Sequence, residues 1–345
     1  MVVGLATPSG RFSRRPGAEG MQPLEKERGD ILPAGGGLGC CAQHALPARR
    51  LSLCRAEGFA TRVYVLSDLH TDYEENMAWV NRLSMEYYAN TVLLVAGDVA
   101  ETYKNFVTTM KMLKDRFRSV FFVPGNHDLW CRREGGSFLH SLEKLNALLD
   151  VCRDLGVETG PGIVDGVGIV PLYSWYHESF DKEKDISGFR IPSLDTVCKD
   201  FHACKWPHEL SPKILLLQEL CPEKRMLFYP NLPKIIGSDL LETRLRSIHG
   251  VRGKPSSCHV FGHTHFCWDA EVDGIRYVQA PLSYPRERRR RMNGGTDWLP
   301  FCIYHGGLTD RLTPCWWSDY YSSNKRDPDN VDLAPWVAKF YKQQR

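Results

Sequence analysis

The sequence lacks any run approaching the roughly 18 uninterrupted apolar residues of a membrane span; stretches such as Thr91 to Ala96 are far shorter. The reading is a soluble protein. None of the 12 cysteines forms a Cys-x-x-Cys pair, and the only close pair, Cys40 and Cys41, lies in Gly-rich text, which argues against a structural zinc knuckle. Cysteines so scattered, with no secretory leader, read as small buried hydrophobes of a reducing compartment. Basic residues barely outnumber acidic ones, at a net +3, so the bulk balance does not point to nucleic acid. The local exception is basic: Arg286, then Arg288 to Arg291. With 43% hydrophobic and 25% charged residues, wholesale disorder, collagen and coiled coil are excluded.

At 345 residues the chain is long enough for two domains of roughly 150 residues, or one large α/β domain with insertions. Residues 1–60 show no apolar periodicity and are rich in Gly, Pro, Ala and Arg, so a disordered leader is expected there. Arg11, Arg14 and Arg15 keep organelle import open, but acidic residues soon follow, and a cytoplasmic, intracellular protein is the expectation. Residues 61–310 read as the principal domain, with an irregular insertion at 180–235 and a C-terminal extension at 311–345.

From Arg62 the pattern becomes regular. Val63 to Leu66 is a short buried-strand run that stops at Ser67-Asp68-Leu69-His70. Asp72 and Glu75 form a capping-box pattern for a helix running to about Asn90, with Met77, Val80, Ser84 and Tyr87 on one stripe. Thr91 to Ala96 repeats the strand signal and stops at Gly97-Asp98; Phe106, Met110, Leu113 and Phe117 mark the next helix. Ser119 to Val123 stops at Pro124-Gly125-Asn126-His127-Asp128, and Phe138 to Cys152 is helical again. The strand ends fall about thirty residues apart, the length of one strand-and-crossover unit, and right-handed crossovers make the strands parallel. Ligands sit at the carboxyl ends of such strands, where Asp68, His70, Asp98, Asn126 and His127 gather. Later strands are expected at Cys258 to Phe261, at Cys267 to Val272 and Ile275 to Ala280 joined through Asp273-Gly274, and at Phe301 to Tyr304. A hairpin around Asp165-Gly166 and a helix over Ser238 to His249 complete the reading.

The rim chemistry is that of a metal site. Asp68 and His70 are two apart, as are His263 and His265, so on an extended backbone each pair points to one side. Carboxylate, imidazole and amide donors without thiolate favour manganese, iron or zinc. Two such ions about 3.5–4 Å apart suit displacement at phosphorus, and His127 is placed to assist the leaving oxygen.

Asp68-x-His70, Gly97-Asp98, Gly125-Asn126-His127-Asp128 and Gly262-His263-Thr264-His265, in this order, resemble the signature of the calcineurin-like metallophosphoesterases. The resemblance implies an α/β fold of two mixed β-sheets forming a sandwich flanked by helices, with a dinuclear centre at the strand ends. It implies that Asp68, His70 and His265 hold one ion, that Asp98 bridges, and that Asn126 and His263 hold the other. A metal-bridging hydroxide would attack a phosphoric ester, with His127 and Asp128 as the catalytic candidates. The family pattern carries one more histidine before the Gly-His-x-His motif; here the apolar run Ser211 to Leu217 ends in Gln218-Glu219, so the second ion site is expected to be weakened. The continuation Val99-Ala100-Glu101 departs from that of the protein serine/threonine phosphatases.

Arg286, Arg288 and His177 are the candidates for substrate contact, with Trp130, Trp175 and Tyr176 offering ring faces. The expected substrate is a phosphorylated small molecule or other phosphoester, mono- or diester, with nucleic acid less favoured. The alternatives are a nuclease-type phosphodiesterase using the arginines, or a degenerate metal-bound phosphate-recognition protein. Oligomeric state is left open.

Overall fold

The computed structural model describes residues 2–6, 60–176, 180–207, 220–237, 257–289 and 295–343. Its strands are β1 (Val2–Ala6), β2 (Arg62–Ser67), β3 (Val92–Ala96), β4 (Ser119–Val123), β5 (Gly162–Val164), β6 (Val167–Leu172), β7 (Cys258–Phe261), β8 (Trp268–Val272), β9 (Ile275–Gln279) and β10 (Phe301–His305). Helices are α1 (Glu74–Asn81), α2 (Met85–Tyr88), α3 (Tyr103–Arg116), α4 (Ser141–Leu155), α5 (Leu194–Val197), α6 (Asp200–Ala203), α7 (Pro285–Arg289), α8 (Trp316–Ser323) and α9 (Pro335–Gln343).

Two mixed sheets form. One has the order β10-β2-β3-β4, with β2, β3 and β4 parallel and β10 antiparallel to β2. The parallel strands have apolar, buried interiors without alternation, as strands covered on both faces must. The other has the order β5-β6-β1-β7-β9-β8. The sheets meet through contacts of β3 with β1 and β7 and of β4 with β6. Both two-residue hairpins form as expected: Asp165-Gly166 and Asp273-Gly274 all take positive φ, the twist that matches antiparallel strands.

The expectation of a structureless leader fails at its start. Val2–Ala6 is an interior strand, antiparallel to both β6 and β7. Its five residues are uninterrupted by a polar group, the pattern of an interior strand, but they are followed by Gly- and Arg-rich text that conceals so short a run. The rest of that leader, His177, Arg290 and Arg291, the run Ser211 to Leu217 with Gln218 and Glu219, and the helix expected over Ser238 to His249 lie outside the described residues.

Two local readings change. The first helix is two: α1 ends at Asn81, and Ser84 caps α2 by accepting from Tyr87 N. Asp72 does not cap α1; its carboxylate instead receives the Glu101 and Thr102 amides and Asn105, tying the loop after β2 to the loop after β3. The C-terminal extension is no appendage. Trp317, Ala334, Val337 and Tyr341 are buried in the same core as the sheets, and α8 lies on β8. The insertion expected at 180–235 contributes α5, α6 and the segment Leu232–Ile235, which wall one side of the cavity at the strand ends.

Candidate metal centre

The loops after β2, β3, β4 and β7 converge on one point. Asp68, His70, Asp98 and His265 each offer a ligand atom, all within 4.8 Å of one another. His70 Nε2 lies 2.8 Å from His265 Nε2 and 3.9 Å from an Asp98 oxygen, and His265 Nε2 lies 3.7 Å from Asp68 Oδ1. Beside them, His263 Nδ1 is 2.9 Å from Asn126 Oδ1.

The way these side chains converge differs from the sequence expectation. Asp68, His70, Asp98, His263 and His265 are not on extended backbone; all five have positive φ, between 44° and 89°. The strands stop one residue before Asp68 and two before Asp98 and His263, and the chain turns sharply where the ligand atoms are needed. Left-handed backbone at non-glycine residues stores strain that the surroundings must hold in place, and it clusters at functional sites. Glycines make the close approach feasible: a Cβ on Gly125 would collide with Asp98, and one on Gly262 with the Ala96 carbonyl.

The arrangement fits divalent cations because lone pairs face one another. Ile235 O accepts from His263 Nε2, at 2.9 Å, and burial keeps the ring neutral by lowering its pKa, so Nδ1 presents a lone pair to the Asn126 carbonyl oxygen. Two acceptors at hydrogen-bond distance with no proton between them describe a pair of ligands. His265 donates Nδ1–H to Glu287 Oε2 at 2.8 Å, which aims Nε2 inward. Burial opposes protonation of His265, but Glu287, Asp68 and Asp98 together push it up to about 9 when only protein groups surround it. Burial, with Asp68 and Asp128 nearby, pushes Asp98 well up, and burial among the other imidazoles pushes His70 well down. A surplus of carboxylate and neutral imidazole is what a cation would relieve. Asp68 is further fixed by Gln279 Nε2 at 3.1 Å and by the His263 amide at 2.6 Å.

His127 stacks on Trp130 with ring centroids 3.6 Å apart, and its Nε2 meets the Tyr284 hydroxyl at 3.2 Å. Burial, then His265, His263, Arg132 and Lys199, lowers its pKa well below the usual value, while burial and the nearby carboxylates raise that of Tyr284. His127, Tyr284, Asn126 and His263 line a cavity of about 570 Å³, which Leu194, Val197, Tyr229, Leu232 and Ile235 also line.

Three expected roles change. Asp128 is fully buried and faces away from the cavity; its oxygens accept from the amides of Asp98 (3.0 Å), Ala100 (3.0 Å) and Gly125 (2.6 Å). It therefore clamps the loop after β3 to the loop after β4. Arg286 lines the cavity, over the Tyr284 ring, but Arg288 turns inward and donates to the carbonyls of Leu282 and Ser283. Helical periodicity separates them, because two residues apart on α7 point to different sides. Trp175 packs against Tyr176 and Trp206 in the core.

Glu287, Tyr284 and Gln279 were not legible as site residues. Glu287 is a lone acid within an arginine run, and only the contact with His265 across 22 residues gives it meaning.

A model of the calcineurin-like phosphoesterases matches residues 61–267. The chain belongs to that family. It is thus a hydrolase acting on phosphoric esters, and the four motifs of the phosphoesterase lie within the match. It is 27% identical over 281 residues to the acyl-carrier-protein phosphodiesterase PptH of Mycobacterium tuberculosis, covering 68% of this chain and 81% of that protein. The crystal structure of the phosphopantetheinyl hydrolase PptH from the same organism aligns with a TM-score of 0.54 at 25% identity, over 68% of this chain and 93% of that one. Among the described residues no helix is long and apolar enough to cross a membrane.

Proposed function

We propose that this phosphoesterase cleaves phosphodiesters, with Asp68, His70, Asp98 and His265 holding one cation and Asp98, Asn126 and His263 a second. Divalent ions there would supply Lewis-acid polarisation of the phosphoryl oxygens and a nucleophilic water at neutral pH. The observation that carries the reading is the convergence of four ligand atoms within 4.8 Å, with His70 of that cluster lining a cavity much larger than a phosphate. A phosphomonoester would leave the apolar lining idle, whereas a diester can rest its second arm on Leu194, Val197 and Leu232. The name of PptH, a carrier-protein phosphodiesterase, favours the same class.

The protein's own groups have definable tasks. The hydrogen bond between Tyr284 Oη and His127 Nε2 holds one proton at the cavity wall, available to the departing alkoxide oxygen. The Trp130 stack fixes the imidazole plane, and Arg286 neutralises charge on the bound ester. A nuclease reading gains no support from Arg288, whose guanidinium is committed to backbone carbonyls.

The test is turnover of bis-nitrophenyl phosphate, nitrophenyl phosphate and a phosphopantetheinylated carrier protein with manganese. Diester cleavage should exceed monoester cleavage, and Asp98→Asn should lower it by at least about 100-fold, as expected when an electrostatic contact to the reacting centre is lost. Equal monoester turnover would refute the diester assignment.

A further inference from the structure

The second cation position is the poorer of the two in donors. Among the described residues it has Asp98, one imidazole and the neutral amide of Asn126. An amide ligates only through its oxygen; turned by 180° it would present NH₂ to the ion and repel it. Something must select the orientation.

Asp200 does so. It lies at the start of α6, 4% exposed, in the insertion that walls the cavity. Its Oδ1 accepts from Asn126 Nδ2 at 2.9 Å and from Trp130 Nε1 at 2.6 Å, and its Oδ2 accepts from the Tyr176 hydroxyl at 3.1 Å. A carboxylate accepts and never donates in its ionised form, so the Asn126 edge facing it must be the NH₂. The carbonyl oxygen is thereby turned toward His263, where it is found. We infer that Asp200 is a positioning residue that fixes the Asn126 amide in its cation-binding orientation and so sustains the second ion despite the shortage of imidazole. This rests on the two-cation reading of the site.

A competing role for Asp200, direct ligation in place of the absent histidine, is disfavoured by its partners: Oδ1 already receives two hydrogen bonds and Oδ2 one. Both roles predict that losing Asp200 weakens the second ion. They part company when the amide is replaced. Both ends of a carboxylate are ligating oxygens, so Asn126→Asp has no wrong orientation to suppress, and Asp200 beside it becomes a repelling neighbour.

The experiment is a manganese titration of the full chain followed by loss of the free-ion electron paramagnetic resonance signal, which counts sites and gives their affinities without turnover. The wild type should bind two ions. Asp200→Ala should weaken the second by about 10-fold or more, the usual effect of removing an orienting partner, with the first ion little changed and the protein still folded by thermal unfolding. In the Asn126→Asp background the same Asp200→Ala change should leave the second ion unweakened or tighten it. Weakening by the same factor in both backgrounds would overturn the inference and make Asp200 a ligand. A wild type that binds one ion only would overturn both the inference and the two-cation reading, while diester cleavage would still be judged separately by the turnover assay.

Discussion

Glu287→Ala isolates how much of the first cation's affinity comes from outside its ligands. Glu287 Oε2 holds His265 Nδ1 at 2.8 Å and also accepts from the Tyr284 amide at 3.2 Å, capping the turn into α7. His265 is about one-tenth exposed and its other nitrogen faces His70 at 2.8 Å, so the ring's orientation sets whether Nε2 stays in the ligand cluster. Orienting partners of metal-bound imidazoles contribute about 10–100-fold in metal affinity, or ~1.4–2.7 kcal/mol. The partly buried, charge-assisted geometry here places Glu287→Ala near the upper end and Glu287→Gln, which keeps an acceptor without the charge, near the lower end. Calorimetric manganese titration should show the graded loss. A Glu287→Ala protein that binds its first ion with unchanged affinity and remains folded would refute the claim that this carboxylate orients the ligand.

Lys144 offers a test of the scaffold. It is fully buried on α4, with Nζ donating to the carbonyls of Glu101 and Trp130, both at 2.6 Å, and paired with Glu134 at 2.8 Å. Lys144→Met should cost ~3–5 kcal/mol in denaturant unfolding, because Glu134 and two carbonyls lose their partner in the interior. The two arginines of α7 should separate by assay: Arg286→Ala raises KM for the diester several-fold with an unchanged unfolding midpoint, whereas Arg288→Ala lowers stability by ~1–3 kcal/mol, since the Leu282 and Ser283 carbonyls lose charged donors. The opposite pattern would reverse the two roles.

The site was readable to the extent that its residues sit at chain positions with their own signals. Asp68, Asp98 and Asn126 mark the points where apolar strand runs stop, and a parallel sheet carries such points to one rim whatever the downstream residues are. His263 and His265 obey the same rule after β7. Their backbone was not readable: nothing in Asp-x-His distinguishes extended chain from the left-handed turns observed, because the glycines and amide clamps that enforce them come from other loops. The strand Val2–Ala6 escaped for a related reason, since its partners are Val167–Leu172 and Cys258–Phe261, more than 150 residues away.

The local text thus determined which side chains carry the chemistry and the parallel strands that present them, because strand runs, turn residues and donor types are properties of short segments. Tertiary structure alone decided which groups aim them. Glu287 beside His265, Asp200 beside Asn126 and Asp128 under the loop of Asp98 are joined by hydrogen bonds that close only when distant segments pack. A carboxylate carries no sequence mark of the donor it will meet, and that meeting is fixed by the fold's geometry.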